Sequence, residues 1–303
     1  MTLQWWAAPA KLNLFLHVTG RRADGYHLLQ TIFQLIDLGD ELAFEVTDDG
    51  VVTRVDDALA NPPPGVAPED DLCVRAARAL QAATRTRKGA RIRVRKRIPP
   101  GGGLGGGSSD AATTLRVLDQ LWGTAAGIEN LSRIGAQIGA DVPVFVNGRS
   151  AWAEGVGELL TPLELTTQWF VVIHPGVSVP TKDVFQAPEL TRNSPLITIR
   201  APRGPVGRND CEPVVRARFP AVAEALDWLA QHAPARLTGT GACVFAGFAT
   251  AALAERVAAR VPEAWRAWAV RGLSTSPLEA QLAGQASAGA GAAEPTGRGV
   301  REG

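Results

Sequence analysis

At roughly 150 residues per domain, 303 residues correspond to about two domains, enough for a packed core and too many for a peptide or disulfide miniature. Hydrophobic residues make up 46% and charged residues 20%, an ordinary globular composition that excludes wholesale disorder. With 31 basic against 30 acidic side chains the formal charge is +1, so no global field directs the chain to nucleic acid or an anionic membrane, and any anionic ligand must be caught locally.

From Trp6 to Val18 the text alternates with period two, which predicts a strand carrying Leu12, Leu14 and Leu16 on one face and Lys11, Asn13 and Phe15 on the other. Lys11 and Asn13 therefore point the same way. A polar turn is expected from Arg21 to Gly25, followed by short β-like runs at Leu28 to Leu38 and Glu41 to Val46, a loop at Pro62 to Gly65, and a helix from Leu72 to Ala83. Residues 91–98 alternate basic and apolar side chains, the pattern of a strand with one solvated face. A glycine-rich loop follows at once, and Ser108 or Ser109 is expected to cap a helix in which Ala111, Leu115, Leu118 and Trp122 fall at helical spacing. A further helix from Leu131 to Ile138 is expected to stop at Gly139 in the left-handed conformation, and Asp141 precedes the apolar run Val142 to Val146.

The second half opens near Pro162 with a strand at Trp169 to His174 and a proline-rich loop region to about Pro205. A helix around Leu226 to Leu229, two strands between Leu237 and Phe248 around a Thr-Gly-Thr-Gly turn, and a helix at Ala251 to Val261 complete it. Mixed order without a βαβ rhythm or a fixed-period repeat predicts an α+β fold. The expected division is a first domain at 1–160, a second at 161–282, and a disordered tail at 283–303, where composition collapses to Ala, Gly and a few polar residues.

Cys73, Cys211 and Cys243 are odd in number and form no C-x-x-C pair, which argues against a disulfide framework or zinc site and fits a reducing compartment. The start of the chain lacks a basic n-region and a long apolar h-region, and no apolar run reaches the roughly 18 residues a span requires. A cytoplasmic location is expected.

The strongest local signal is the run Pro99 to Asp110, with six glycines in the seven positions 101–107, set between a strand and a helix. Such a loop lets backbone approach an anion closely and aims its N–H groups inward, while the helix N-terminus adds partial positive charge. The preceding strand is basic on one face and two prolines intervene, so a dinucleotide fingerprint does not fit, and no Lys follows the glycines as a Walker motif needs. A lysine serving phosphates must then come from elsewhere, and lysine is scarce: Lys11, Lys88, Lys96 and Lys182 stand against 27 arginines. Asp141 can be either a turn former or a catalytic carboxylate. Tyr26, the sole tyrosine, adjoins His27, and an aromatic face beside an imidazole could grip a nucleobase or simply enter the core. Eight basic residues between Arg85 and Arg97 read as a solvated sheet face rather than a nucleic-acid surface, and His17, His174 and His232 show no ligand spacing.

The loop Pro99 to Ser109 resembles the second motif of the GHMP kinases, Leu237 to Ala242 resembles the third, and Pro9 to Leu14 resembles the first. The strings Arg21 to His27, Gly139 to Phe145 and Asn209 to Glu212 are similar to those of the 4-diphosphocytidyl-2-C-methyl-D-erythritol kinase family within that superfamily, over about residues 7–282. The resemblance implies a two-domain α+β kinase fold with its site in the cleft between the domains, and an ATP-dependent phosphorylation of the 2-hydroxyl of a cytidine-diphosphate-linked small molecule in the non-mevalonate route to isoprenoid precursors. It makes Lys11 and Asp141 the catalytic pair. ATP is then held by Lys96, Pro99, Pro100, Gly101, Gly102, Gly103, Leu104, Gly105, Gly106, Gly107, Ser108 and Ser109. Tyr26 and Phe185 would sandwich the cytosine, His27 would bond its edge, and Asn13, Thr181, Gly239 and Thr240 would hold the rest of the acceptor. Magnesium (Mg2+) is expected with ATP, without an assigned protein ligand. Neither nucleic acid nor membrane is implied as a partner, and the chain is expected as a monomer or homodimer. Another GHMP small-molecule kinase is the alternative among enzymes, and a nucleotide- or RNA-binding protein on the same scaffold, which could dispense with Lys11 and Asp141, is the alternative outside them.

Overall fold

In the computed structural model, residues 3–198 and 207–291 are described. The N-terminal alternation produces strand β1 (Trp6–Arg21), whose register against β2 (His27–Thr47) shifts at Pro9/Ala10, between Asn13 and Leu16, and near Val18. These irregularities bend the strand enough for its two ends to enter different cores. Where two β runs were expected, β2 is one continuous strand. Gly39 makes this possible: a Cβ there would lie 2.9 Å from the carbonyl oxygen of Ala8, so the backbones approach only because the side chain is absent.

Next along the chain come β3 (Val52–Arg54), α1 (Leu72–Thr84), β4 (Gly89–Arg95), α2 (Gly106–Trp122), α3 (Ile128–Ile138), α4 (Val142–Asn147), β5 (Ala151–Glu154) and β6 (Leu159–Pro162). Then follow β7 (Trp169–His174), α5 (Thr181–Gln186), α6 (Glu212–Arg218), α7 (Pro220–Ala230), β8 (Ala235–Leu237), β9 (Val244–Phe248), α8 (Ala251–Ala258), β10 (Arg266–Leu273) and α9 (Pro277–Gly291). The main sheet runs β3-β4-β2-β10-β7-β9-β8, with β1 and β5 also paired to β2.

One core lies between α1 to α4 and β2 and β4, built from residues such as Leu35, Leu42, Leu80, Ile92, Leu115 and Leu118. The second packs α6 to α8 on β7 to β9, and takes Leu16 and Val18 from the far end of β1. A third cluster fills the seam: Ala10, Leu12, Ile36, Ile98 and Leu104 meet Phe170, Val172 and Phe245. The glycine loop lies over this seam, anchored by Leu104.

Three local expectations need correction. Helix α2 starts at Gly106 behind a left-handed Gly105 (φ 75°), with no side-chain cap, so Ser108 and Ser109 sit inside its first turn. Gly139 ends α3 with extended backbone (φ −172°) rather than left-handed backbone, and the apolar run after Asp141 is the helix α4. The tail expected to be disordered from 283 begins inside α9, because Leu278 and Leu282, one helical turn apart, bury against Trp6 and Val117, and the alanines that follow favour helix. Residues 292–303 lie outside the described residues, as do 199–206 at the end of the expected proline-rich loop.

Candidate active site

The three sequence motifs converge through backbone. Lys11 N–H on β1 donates to the Leu104 carbonyl at 3.0 Å, Asn13 N–H donates to Thr238 Oγ1 at 3.0 Å, and the N–H groups of Ala242 and Cys243 donate to the carbonyls of Gly101 and Gly102 at 3.0 and 3.1 Å. Loop carbonyls are thus turned inward to the protein. Gly101, Gly103 and Gly105 hold φ of 66°, 72° and 75°, and Cβ atoms at Gly103 and Gly105 would lie 2.3 Å from the Thr238 carbonyl oxygen and 2.9 Å from the Phe145 ring. Because α2 lacks a side-chain cap, the first-turn N–H groups of Gly106 to Ser108 have no intrahelical partner and face a cleft of about 1100 Å³. Free amide donors at the positive end of a helix dipole favour a polyanion there.

Lys11 stands beside this loop. Its ammonium donates to Asn13 Oδ1 at 2.6 Å, pairs with Asp141 Oδ2 at 3.3 Å and lies 5.3 Å from the centre of the Phe33 ring. The lysine is 3% exposed and the carboxylate 33%, so the pair presents its acidic member to the cleft. Asp141 owes its place to the short link between α3 and α4, and Ser108 Oγ comes near the same link, 3.5 Å from where a Cβ of Gly139 would be.

At the opposite end, Tyr26 is 62% exposed and lines the cleft. His27 stacks on Phe185 with ring centroids 5.0 Å apart and planes 24° from parallel, and its pKa is lowered by burial, with Arg192 and Arg21 adding to the effect. Between the ends, Thr181 Oγ1 and Thr240 Oγ1 share a hydrogen bond of 3.0 Å, and Gly239 packs against Gly103 and Asn13. Asn13 is itself fixed, donating from Nδ2 to Thr31 Oγ1 at 3.0 Å.

Two residues expected in the ATP site do not line the cleft. Ser109 is fully buried and its hydroxyl has no partner among the described residues. Lys96 lies beneath the loop, its ammonium bonded to Asp40 and, at 2.5 Å, to Asp110. Asp40 also accepts from the backbone N–H of Ile98 at 2.8 Å, whereas Asp110 Oδ1 has no partner among the described residues and burial pushes that carboxyl up to about 8, against the pull of Lys96. Sequence reasoning missed Asp40, Thr31 and Arg192, and included Asp110 and Thr238 only as members of their motifs; the partners of all five lie elsewhere in the chain. The basic strand is neutralised on its exposed face by Glu41, Glu45 and Asp57, as a solvated face requires. The three cysteines are free and buried, and burial pushes the Cys211 thiol up to about 12.

Residues 71–149 match the family of GHMP kinases N terminal domain, and residues 195–267 match GHMP kinases C terminal. A mevalonate kinase from Methanococcus jannaschii, 14% identical, shares the fold with a TM-score of 0.60 over 90% of this chain and 99% of its own. Glycine cradle, buried lysine and cleft between two mixed lobes thus fall within the GHMP kinase class. The 4-diphosphocytidyl-2-C-methyl-D-erythritol kinase of Alkalilimnicola ehrlichii is 55% identical over 280 residues, 92% of this chain and 94% of its own, and that of Cupriavidus necator is 57% identical over 279 residues, 90% and 94% of the two chains. A crystal structure of 4-(cytidine 5'-diphospho)-2C-methyl-D-erythritol kinase, 34% identical, superposes with a TM-score of 0.76 over 89% of this chain and 99% of that one. The chain belongs to the 4-diphosphocytidyl-2-C-methyl-D-erythritol kinase family.

Proposed function

We propose that this chain transfers the terminal phosphoryl group of ATP to the 2-hydroxyl of 4-diphosphocytidyl-2-C-methyl-D-erythritol, as a cytoplasmic enzyme of the non-mevalonate route that acts as monomer or homodimer. The observation that carries it is the Lys11–Asp141 pair set between the glycine loop and the Tyr26, His27 and Phe185 cluster in one cleft. The free buried cysteines agree with a reducing compartment, and among the described residues no helix is long and apolar enough to cross a membrane. The lobe boundary near residue 160 belongs to the same reading.

A carboxylate is a weak base toward an alcohol, so Asp141 does not deprotonate the hydroxyl before attack. In a loose phosphoryl-transfer transition state the nucleophile carries little charge early, and Asp141 orients the hydroxyl and receives its proton late. Lys11 keeps Asp141 in place and offsets negative charge as the alcohol and phosphoryl oxygens approach. The N–H groups of Gly106 to Ser108 bind the nucleotide phosphates, with Pro99 to Leu104 shaping the wall beside them, and Lys96 and Ser109 support the loop from below. Tyr26 and Phe185 take the faces of the cytosine, His27 its edge, and Asn13, Thr181, Gly239 and Thr240 the remainder of the acceptor.

The hydroxyl of Ser108 and the carboxylate of Asp141 are hard oxygen donors on the cleft wall, suited to magnesium, yet the described residues contain no group of three His, Cys, Asp or Glu side chains able to hold the ion alone. Bound with the nucleotide, magnesium neutralises phosphate charge, and these two residues would complete its oxygen shell.

A coupled ATP assay over a panel of alcohols tests the function. Phosphorylation of the cytidine-diphosphate methylerythritol far above mevalonate, homoserine and galactose is expected; equal or greater turnover of another alcohol would reject it.

A further inference from the structure

Arg192 lies outside every motif noted in the sequence, yet its guanidinium is engaged on all sides by the acceptor end of the cleft. Nη2 donates to the carbonyls of Phe185 at 2.9 Å and Ala187 at 2.7 Å, Nη1 donates to the Leu190 carbonyl at 3.1 Å, and Nε donates to Nε2 of His27 at 3.2 Å. A guanidinium has five N–H donors, no acceptor atom, and does not lose its proton. The imidazole nitrogen facing it must therefore be the bare one. In a neutral ring the proton then sits on Nδ1, which has no partner among the described residues in a side chain that lines the cleft. The same guanidinium holds the backbone of Phe185, the ring on which His27 stacks. Arg192 thus fixes both the orientation and the protonation pattern of the imidazole.

Resting on the reading that a cytosine occupies this end of the cleft, we propose that Arg192 is a specificity-determining positioning residue that locks His27 as the Nδ1–H tautomer, so that the site selects cytosine over uracil. The discrimination follows from the ring atom at position 3. In cytosine it is a bare nitrogen that accepts a hydrogen bond, whereas in uracil it carries a hydrogen and can only donate. A fixed Nδ1–H donor satisfies the first and opposes the second, and an opposed pair of donors in a partly desolvated site is strongly disfavoured. Without the guanidinium, His27 can exchange tautomers or rotate and present an acceptor to either base. Burial and the two nearby arginines also disfavour the imidazolium, which would place a donor against the donor of Arg192.

Two measurements on the full chain test this. Nitrogen-15 spectra of histidine-labelled protein, assigned with His27→Gln, report the tautomer directly: wild type is expected to show protonated Nδ1 and bare Nε2, and Arg192→Gln a mixture. Steady-state kcat/KM is then compared for the cytidine- and uridine-diphosphate forms of the acceptor. Arg192→Gln is expected to reduce the cytidine preference by about tenfold or more while ATP's KM stays within about twofold. A purely structural role would weaken both acceptors equally and leave their ratio unmoved, which overturns the proposal, as does an Nε2–H tautomer in wild type. If Arg192→Gln fails to fold, Arg192→Lys, which keeps charge but not the planar fork, takes its place with the same outcomes. Failure of the underlying reading looks different: wild type would phosphorylate acceptors without any base efficiently, while the nitrogen-15 spectra would still decide whether Arg192 sets the tautomer.

Discussion

Lys11 is held by Asn13, by Asp141 and by the face of Phe33 in a nearly closed pocket, so its position is set by the fold rather than by the ligand. Asp141, more exposed, is the member we propose meets the acceptor. Asp141→Asn is therefore expected to lower turnover by about 10²- to 10⁴-fold while the calorimetric ATP affinity stays within a few-fold; wild-type turnover in the folded variant would remove Asp141 from the chemistry. The other informative carboxyl is Asp110. Its folded pKa of about 8 lies above its ordinary 3.8, so the folded state binds the extra proton between those two values. Stability from this group is thus full below about pH 4 and declines as pH rises toward 8. Urea unfolding of wild type and Asp110→Asn across that range should show the decline in wild type and a flatter profile in the variant. Parallel profiles would assign the decline to other groups.

Among the elements, the glycine loop is the one whose sequence and geometry correspond most directly. A run of six glycines in seven positions is legible because each sequence step removes a Cβ that the packing would otherwise meet. Gly103→Ala places a methyl 2.3 Å from the Thr238 carbonyl oxygen and strains a φ of 72°, separating the second motif from the third. Titration calorimetry should then show ATP binding weakened by tenfold or more; an unchanged dissociation constant would mean that the loop does not cradle the nucleotide. The period-two strand with Lys11 and Asn13 on one face was equally legible, since alternation depends only on neighbouring residues. What escaped the sequence depends on remote partners. Lys96 reads as an end-of-strand cation, but Asp40 and Asp110 draw it beneath the loop. The stack of His27 on Phe185 joins residues far apart in the chain, and Arg192 has no local pattern at all. The Ala- and Gly-rich text of α9 hides a two-leucine stripe that only Trp6 and Val117 reveal as apolar packing.

For the molecule as a whole, α9 closes the chain back onto the first lobe. Glu279 accepts from both terminal nitrogens of Arg116 at 2.7 and 2.9 Å, Gln281 Oε1 accepts from the Ala7 N–H at 2.9 Å, and Leu278 and Leu282 are buried. Ending the chain before Pro277 should lower Tm by at least about 5 °C, and Leu278→Ala alone should cost about 2–5 kcal/mol; calorimetry showing no change in either would mean that the helix does not contribute to the core. The other whole-molecule feature is the seam of the sheet. Strand β10 pairs with β7 from Arg266 to Arg271 but with β2 only at Gly272 and Leu273, and Leu35, the partner of Leu273, is on its other side the partner of Lys11. Lys11 therefore sits one strand from the narrowest join between the halves, as a rivet sits beside the pivot of a pair of tongs. Whatever rocking the halves undergo displaces the tips, where Tyr26 and Phe185 lie, far more than the pivot. On the proposed reading, in which Tyr26 and Phe185 grip the acceptor and Lys11 faces the transferred group, warming should raise the acceptor's KM while kcat still climbs.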